Sequence, residues 1–207
     1  MARDNDLRYG TISALAVILI GNCLVPSLEA KDIIRDKSPD GKFALRITKD
    51  DMGGSAAIIG LKDNGLVATL ETYQNYTEEA HLVWSKDSQR VAYFEPDRKG
   101  GSTTAYFWDS SEFKEVSIPY GDPTGDFPAC EDKSFEKNSD DPYVKDIEFT
   151  ARPVKWLPSG ELVLAAHCTR ITESGATRSS AKTITIAFDA NRKASVKSVK
   201  DNKKGRE

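Results

Sequence analysis

The 207-residue sequence predicts an all-β protein built of antiparallel meanders, and three observations predict it. Apolar and polar residues alternate with a period of two, as in Phe43/Leu45/Ile47 against Ala44/Arg46/Thr48 and Ile184/Ile186/Phe188 against Thr183/Thr185/Ala187. That is the pattern of half-buried strands. Helical spacing is nearly absent, and only Tyr76–His81 fits one or two turns. A turn followed by a strand recurs as Ser38-Pro39-Asp40-Gly41-Lys42-Phe43-Ala44-Leu45, as Trp84-Ser85-Lys86-Asp87-Ser88-Gln89-Arg90-Val91-Ala92-Tyr93 and as Trp156-Leu157-Pro158-Ser159-Gly160-Glu161-Leu162-Val163-Leu164. Aligned on Gly41, Ser88 and Gly160, the copies lie 47 and 72 residues apart, close to one propeller-blade period and to one blade plus an insertion. The expected architecture is a stack of meanders forming a partial β-propeller, with a β-sandwich as the alternative.

Residues 1–30 read as an export signal. Arg3 and Arg8 precede an apolar run from Ile12 to Val25, and Leu28-Glu29-Ala30 supplies the small residue for cleavage after Ala30. The run is short for a membrane span, which takes about 20 apolar residues. An uncleaved anchor and a lipidated Cys23, in Ile20-Gly21-Asn22-Cys23, are the competing readings. The 177 residues left suffice for one domain (31–199), large enough to bury about 70% of the unfolded chain's surface. They carry 27 basic and 29 acidic residues, a balance too near neutral for a nucleic-acid binder. Cys130 and Cys168 would be the two remaining thiols, and in an oxidising compartment they are expected to pair, against the alternative of two buried free thiols.

The first unit (about 35–80) opens at Asp40-Gly41, where glycine admits the positive φ of a tight hairpin and Pro39 presets its entry. Strands follow near 43–48, 56–61 and 66–70, the last two joined by Asp63-Asn64-Gly65. The second unit (81–118) has Asp87-Ser88 in the same turn register. Serine is costlier than glycine at positive φ, so this turn is expected to be of another type or mildly strained. Its strands are expected at 90–94, 103–108 and 113–118, with Asp97–Gly101 as a hairpin. The third unit (151–199) has strands at 154–156, 161–167, 183–188 and 194–199. Each unit thus reads as a turn-and-strand meander. Trp84 and Trp156 stand equally far before their turns, which implies equivalent packing, and the consecutive Tyr106-Phe107-Trp108 would face both sides of one sheet.

The stretch Trp84–Asp109 resembles one repeat of the TolB-type (PD40, WD40-like) β-propellers, with Trp-Ser-x-Asp-x-x-x-Val-Ala-Tyr, then Asp97-Arg98-x-Gly100 and Ala105-Tyr106. Ser38–Leu45 and Trp156–Ala165 match the turn and first strand of that repeat. The resemblance implies periplasmic or secreted blades that serve as interaction surfaces, usually without catalysis. Three units are fewer than the four to eight blades of a closed propeller. The open edges would need cover from a homodimeric six-bladed ring, a partner protein, or the chain's own long loop.

That loop spans 119–146. It combines turn pairs (Gly121-Asp122-Pro123, Asp141-Pro142) with no alternation, and the stretch from Asp122 to Glu148, which overlaps it, has nine acidic against three basic residues. A loop of this length in a compact domain is usually functional or disordered. Asp126, Phe127, Glu131, Asp132, Phe135, Glu136 and Tyr143 combine charge with aromatic surface and are the expected partner-binding residues. The carboxylates do not follow a calcium-loop spacing, although a calcium-dependent adhesion protein is one alternative. His167 and Cys168 are adjacent on a strand and face opposite ways, so with Cys130 they make no metal site. No catalytic constellation or cofactor motif stands out. Two carboxylates of the loop would nevertheless suffice for a glycan-acting hydrolase, the other alternative. Residues 200–207 read as a basic frayed tail. The expected function is a non-enzymatic, periplasmic or secreted module that binds an envelope or extracellular protein, with no nucleic acid and no membrane span once the signal is removed.

Overall fold

The computed structural model describes residues 31–50, 53–72, 76–119 and 143–202. Among them, twelve strands fall into three groups of four. The first unit comprises β1 (Lys31–Arg35), β2 (Phe43–Asp50), β3 (Gly53–Gly60) and β4 (Leu66–Leu70). The second comprises β5 (His81–Trp84), β6 (Arg90–Asp97), β7 (Gly100–Trp108) and β8 (Phe113–Val116). The third comprises β9 (Tyr143–Trp156), β10 (Leu162–Thr172), β11 (Thr177–Phe188) and β12 (Ala194–Asp201). Within each unit, successive strands pair antiparallel. The helical stretch is a single 3-10 turn, Thr77–Glu79, on the connection between the first two units.

The chain is therefore all-β, with three stacked meanders and a hydrophobic core at each of the two junctions. Leu45, Ile47 and Ile58 of the first unit meet Val91, Tyr93 and Tyr106 of the second. Ala92 and Ala105, on the opposite face of the second unit, meet Leu162, Leu164, Ile184 and Ile186 of the third. Val91-Ala92-Tyr93-Phe94 is consequently buried at every position, the pattern of a strand covered on both faces. Three layers with a core at each of the two junctions distinguish this arrangement from the alternative two-layer sandwich.

The repeated turn is the same device in the first two units. Gly41 N–H donates to Ser38 O at 2.9 Å and Ser88 N–H to Ser85 O at 3.0 Å. The hydroxyls of Ser38 and Ser85 donate to Asp40 and Asp87 and accept the N–H groups of Phe43 and Arg90. Ser88 takes φ +59° against +71° at Gly41, so its turn is of the same type, contrary to the first of the two expectations. The Asp40 N–H donates to the buried Ser88 Oγ at 3.1 Å, an inter-unit bond that glycine could not provide. The two tryptophans are equivalent, as expected. Trp84 Nε1 donates to Asp36 O at 2.6 Å and Trp156 Nε1 to Val83 O at 2.9 Å, each reaching the preceding unit. Exposed Lys37 holds the corresponding place in the first unit.

The second junction has one more device. Gly100 and Gly101 on β7 pair parallel with Phe149 and Thr150 on β9, fusing two units into an eight-stranded sheet. Both glycines have φ near +140°, and a Cβ on Gly100 would stand 1.7 Å from the Phe149 carbonyl oxygen. Only glycine permits this approach.

Several boundaries differ from expectation. β1 and β5 add a fourth strand to units read as three. β9 starts at Tyr143, inside the span assigned to the loop, and runs through Pro153, which sits at a bulge where Val154 is left over between the Lys155–Val163 and Pro153–Leu164 pairs. β12 continues to Asp201, into the expected tail, and Lys182 pairs with Asp201 at 3.6 Å.

Candidate partner-binding cleft

Of the expected partner-binding residues, Asp126, Phe127, Glu131, Asp132, Phe135 and Glu136 lie outside the described residues, as does Cys130. Tyr143 opens β9, paired with Thr172. Cys168 is 2% exposed on β10 between Phe149 and Ser180, and it faces the second core, while half-buried His167 occupies the alternate face. The described part of the molecule brings a different set of groups together.

Where the first two units meet, their outer strands do not close. A cleft of about 400 Å³ runs between β4 and β8, lined by Leu66, Val67, Ala68 and Thr69 on one side and by Tyr106, Glu112, Phe113 and Glu115 on the other. The sequence builds this shape locally. β4 is a short edge strand with a bulge between Ile58 and Ile59 in its pairing with β3. β8 is a four-residue strand paired only with β7, following a tight reversal at Asp109–Glu112. Leu66 is 62% exposed on the rim. Deeper in the same junction, Phe43 packs on Trp84, Trp108 and Phe113 with ring centroids 6.1, 5.0 and 5.2 Å away. This aromatic cluster fixes the inner ends of the two units.

The cleft is acidic. Burial raises the Tyr106 hydroxyl, and the nearby carboxylates of Glu115, Glu71 and Glu95 raise it further. Burial also lifts Glu95 above the usual carboxylate range, helped by Glu71 and Asp97. Tyr93, 1% exposed, shares this face, and its hydroxyl has no hydrogen-bond partner. Burial followed by Glu95 drives it upward too. Among the described residues, Glu71, Glu95 and Glu115 have no ion pair, whereas Glu112 shares Lys114 with Asp109. Carboxylates that outnumber their counter-charges beside an apolar strand make a surface that attracts cationic groups and offers a dry wall to apolar ones.

No family model matches the chain, and no curated protein matches it. Among solved structures it is similar to the crystal structure of TolB from Acinetobacter baumannii, at 10% identity and a TM-score of 0.33. That likeness covers 82% of this chain and 41% of the TolB chain, so the chain spans less than half of that protein's length.

No helix among the described residues is long and apolar enough to cross a membrane. The cleft itself escaped the sequence reading because its walls come from different repeats, 66–69 and 112–115. The available signal was the charge pattern of the outermost strands. β8 carries Lys114 and Glu115, and β12 carries Lys197, Lys200 and Asp201, but Leu66-Val67-Ala68-Thr69-Leu70 carries no charge. Natural edge strands are usually guarded by charge or cover.

Proposed function

We propose that the chain is a non-enzymatic interaction module acting in the periplasm or outside the cell, where it holds a protein partner. The observation that carries this reading is the open acidic cleft between β4 and β8, a concave surface flanked by an uncharged edge strand. The segment that contains Asp126, Phe127, Glu131, Asp132, Phe135 and Glu136 leaves the second unit after Ile118, which is buried in the second core, and returns at Tyr143. It would extend the acidic surface. A Cys130–Cys168 disulfide would tie that segment to the core strand β10 and stabilise the fold by about 2–4 kcal/mol. Export of residues 31–207 through the signal at 1–30 places the module where such a bond persists.

The test is cross-linked capture from the cell envelope with the wild-type chain and with the triple variant Glu131→Lys/Asp132→Lys/Glu136→Lys. A partner held through the acidic segment is lost from the variant while its melting temperature stays put. Equal capture by both chains removes that segment from the surface.

A further inference from the structure

We infer that the cleft between β4 and β8 takes an extended, basic segment of a protein partner, added as a strand along β4; this deepens the interaction-module reading and rests on it. Three observations converge. β4 ends the four-stranded sheet, so one side of its backbone has unpaired N–H and C=O groups. Those groups are the recognition element of strand addition, in which main-chain bonds give affinity and alternate side chains give selectivity. Unlike β8 and β12, the fourth strands of the other two units, β4 has no charged side chain to repel such a strand. Opposite it stand Glu112 and Glu115, with Glu71 and Glu95 toward the far end of the strand.

The shape sets the length of the segment. Five residues of β4 at about 3.4 Å each can pair with five or six residues of an incoming strand. Every second side chain of that strand would then point across the cleft toward Tyr106, Phe113, Glu112 and Glu115. A Lys or Arg stem lies well against Phe113 and Tyr106 while its charge reaches Glu112 or Glu115. Nucleic acid and anionic lipid carry the wrong sign for these walls.

The probe is a fluorescein-labelled peptide, acetyl-Thr-Lys-Val-Lys-Val-Thr-amide, titrated into the full chain, with its counterpart bearing Glu for Lys as control. The expected result is that the Lys peptide binds, the Glu peptide binds at least about tenfold more weakly, and β4 amides exchange more slowly in the complex. Glu112→Lys/Glu115→Lys, two exposed positions whose melting curve serves as the folding control, is expected to cost about tenfold in affinity for the Lys peptide. Equal affinity for both peptides, unchanged affinity in the double variant, or no binding of the Lys peptide overturns the inference. Concentration-dependent self-association that the double variant abolishes also overturns it, because the occupant is then a second copy. The triple variant in the 120–142 segment separates the two levels. If it loses the envelope partner while the Lys peptide never binds, the interaction module stands and the cleft assignment falls. If neither the segment nor the cleft variant changes any capture, both fall.

Discussion

The two junctions between units share a motif but are built differently. Between the first and second units, contact is made through side chains: the apolar core, the Phe43, Trp84, Trp108 and Phe113 rings, the Trp84 N–H on Asp36 O, Leu82 N–H on Asp36 Oδ2, and Asp40 N–H on Ser88 Oγ. The two units remain separate sheets. Between the second and third, the Trp156 N–H on Val83 O repeats the tryptophan contact, but β7 and β9 also share backbone pairing at Gly100 and Gly101. Thr103 Oγ1 donates to Ala151 O at 2.6 Å beside it. Arg90 lies over the Trp156 ring with its Cζ 5.5 Å from the centroid, and its Nη1 occupies the space a Cβ on Gly160 would need, 2.4 Å away. Side-chain stacking joins the first junction and backbone pairing joins the second, and the cleft between β4 and β8 lies at the first.

The largest expected effect comes from breaking the shared ladder. Gly100→Ala puts a methyl group 1.7 Å from a carbonyl oxygen in a backbone conformation that disfavours any side chain. The loss should be about 3 kcal/mol or more, read as a drop in the urea midpoint. An unshifted midpoint would mean that the bridge contributes nothing. Next, Trp84→Phe removes the bond to Asp36 O but keeps most of the apolar ring, and should cost about 1–2 kcal/mol, loosening the first unit more than the third. Smaller again, Ser88→Ala retains the positive φ and deprives Asp40 N–H of its acceptor, for about 1 kcal/mol, while Ser88→Gly relieves the backbone and should cost less. No loss in Ser88→Ala would show that the hydroxyl is idle, and equal costs for the two would show that the positive φ carries no strain.

The weakest effects are pH-dependent and have opposite signs at the turns and in the cleft. At Asp40 and Asp87, burial pushes the carboxyl up but is outweighed by hydrogen bonds, first from Ser38 and Ser85 respectively, so both titrate below the ordinary 3.8. Their contribution is complete above that value and is lost as the pH falls through the lowered one. The acid limb of the stability curve should therefore flatten in Asp40→Asn/Asp87→Asn. Glu95 is raised above 4.5, chiefly by burial, so its contribution is complete below that value and is lost as the pH rises through the folded one. Glu95→Gln should raise the melting temperature at pH 7 and leave it unchanged near pH 3. A uniform effect across pH would mean that its charge is not what matters.

The turns and tryptophans were legible because they repeat. Ser-x-Asp-Gly and its Ser88 version fix a local hydrogen-bond pattern within six residues, and the same pattern appears at 38–43 and 85–90. The third copy shows where spacing misleads. Its hairpin closes from Leu157 N–H to Glu161 O, one residue sooner than Ser85 N–H to Arg90 O. Leu162 therefore pairs with Trp156 as Val91 pairs with Trp84, although alignment on the glycine sets Leu162 against Arg90. A one-residue slip turns every side chain to the other face. β1 was missed because Ile33-Ile34 interrupts alternation, and the early part of β9 because Pro153 reads as a breaker until the bulge that accepts it is seen. The cleft depends on contacts between units, which no local pattern encodes.

Amide hydrogen exchange of the full chain, followed by mass spectrometry, tests the contrast between the two junctions most directly. Units joined by side chains alone should open independently, and units sharing a ladder should open together. The prediction is that β2 and β3 exchange as one group, measurably faster than β6, β7, β10 and β11, which exchange as a second group. Exchange of all six strands at a single rate, or β10 and β11 opening separately from β6 and β7, would contradict it.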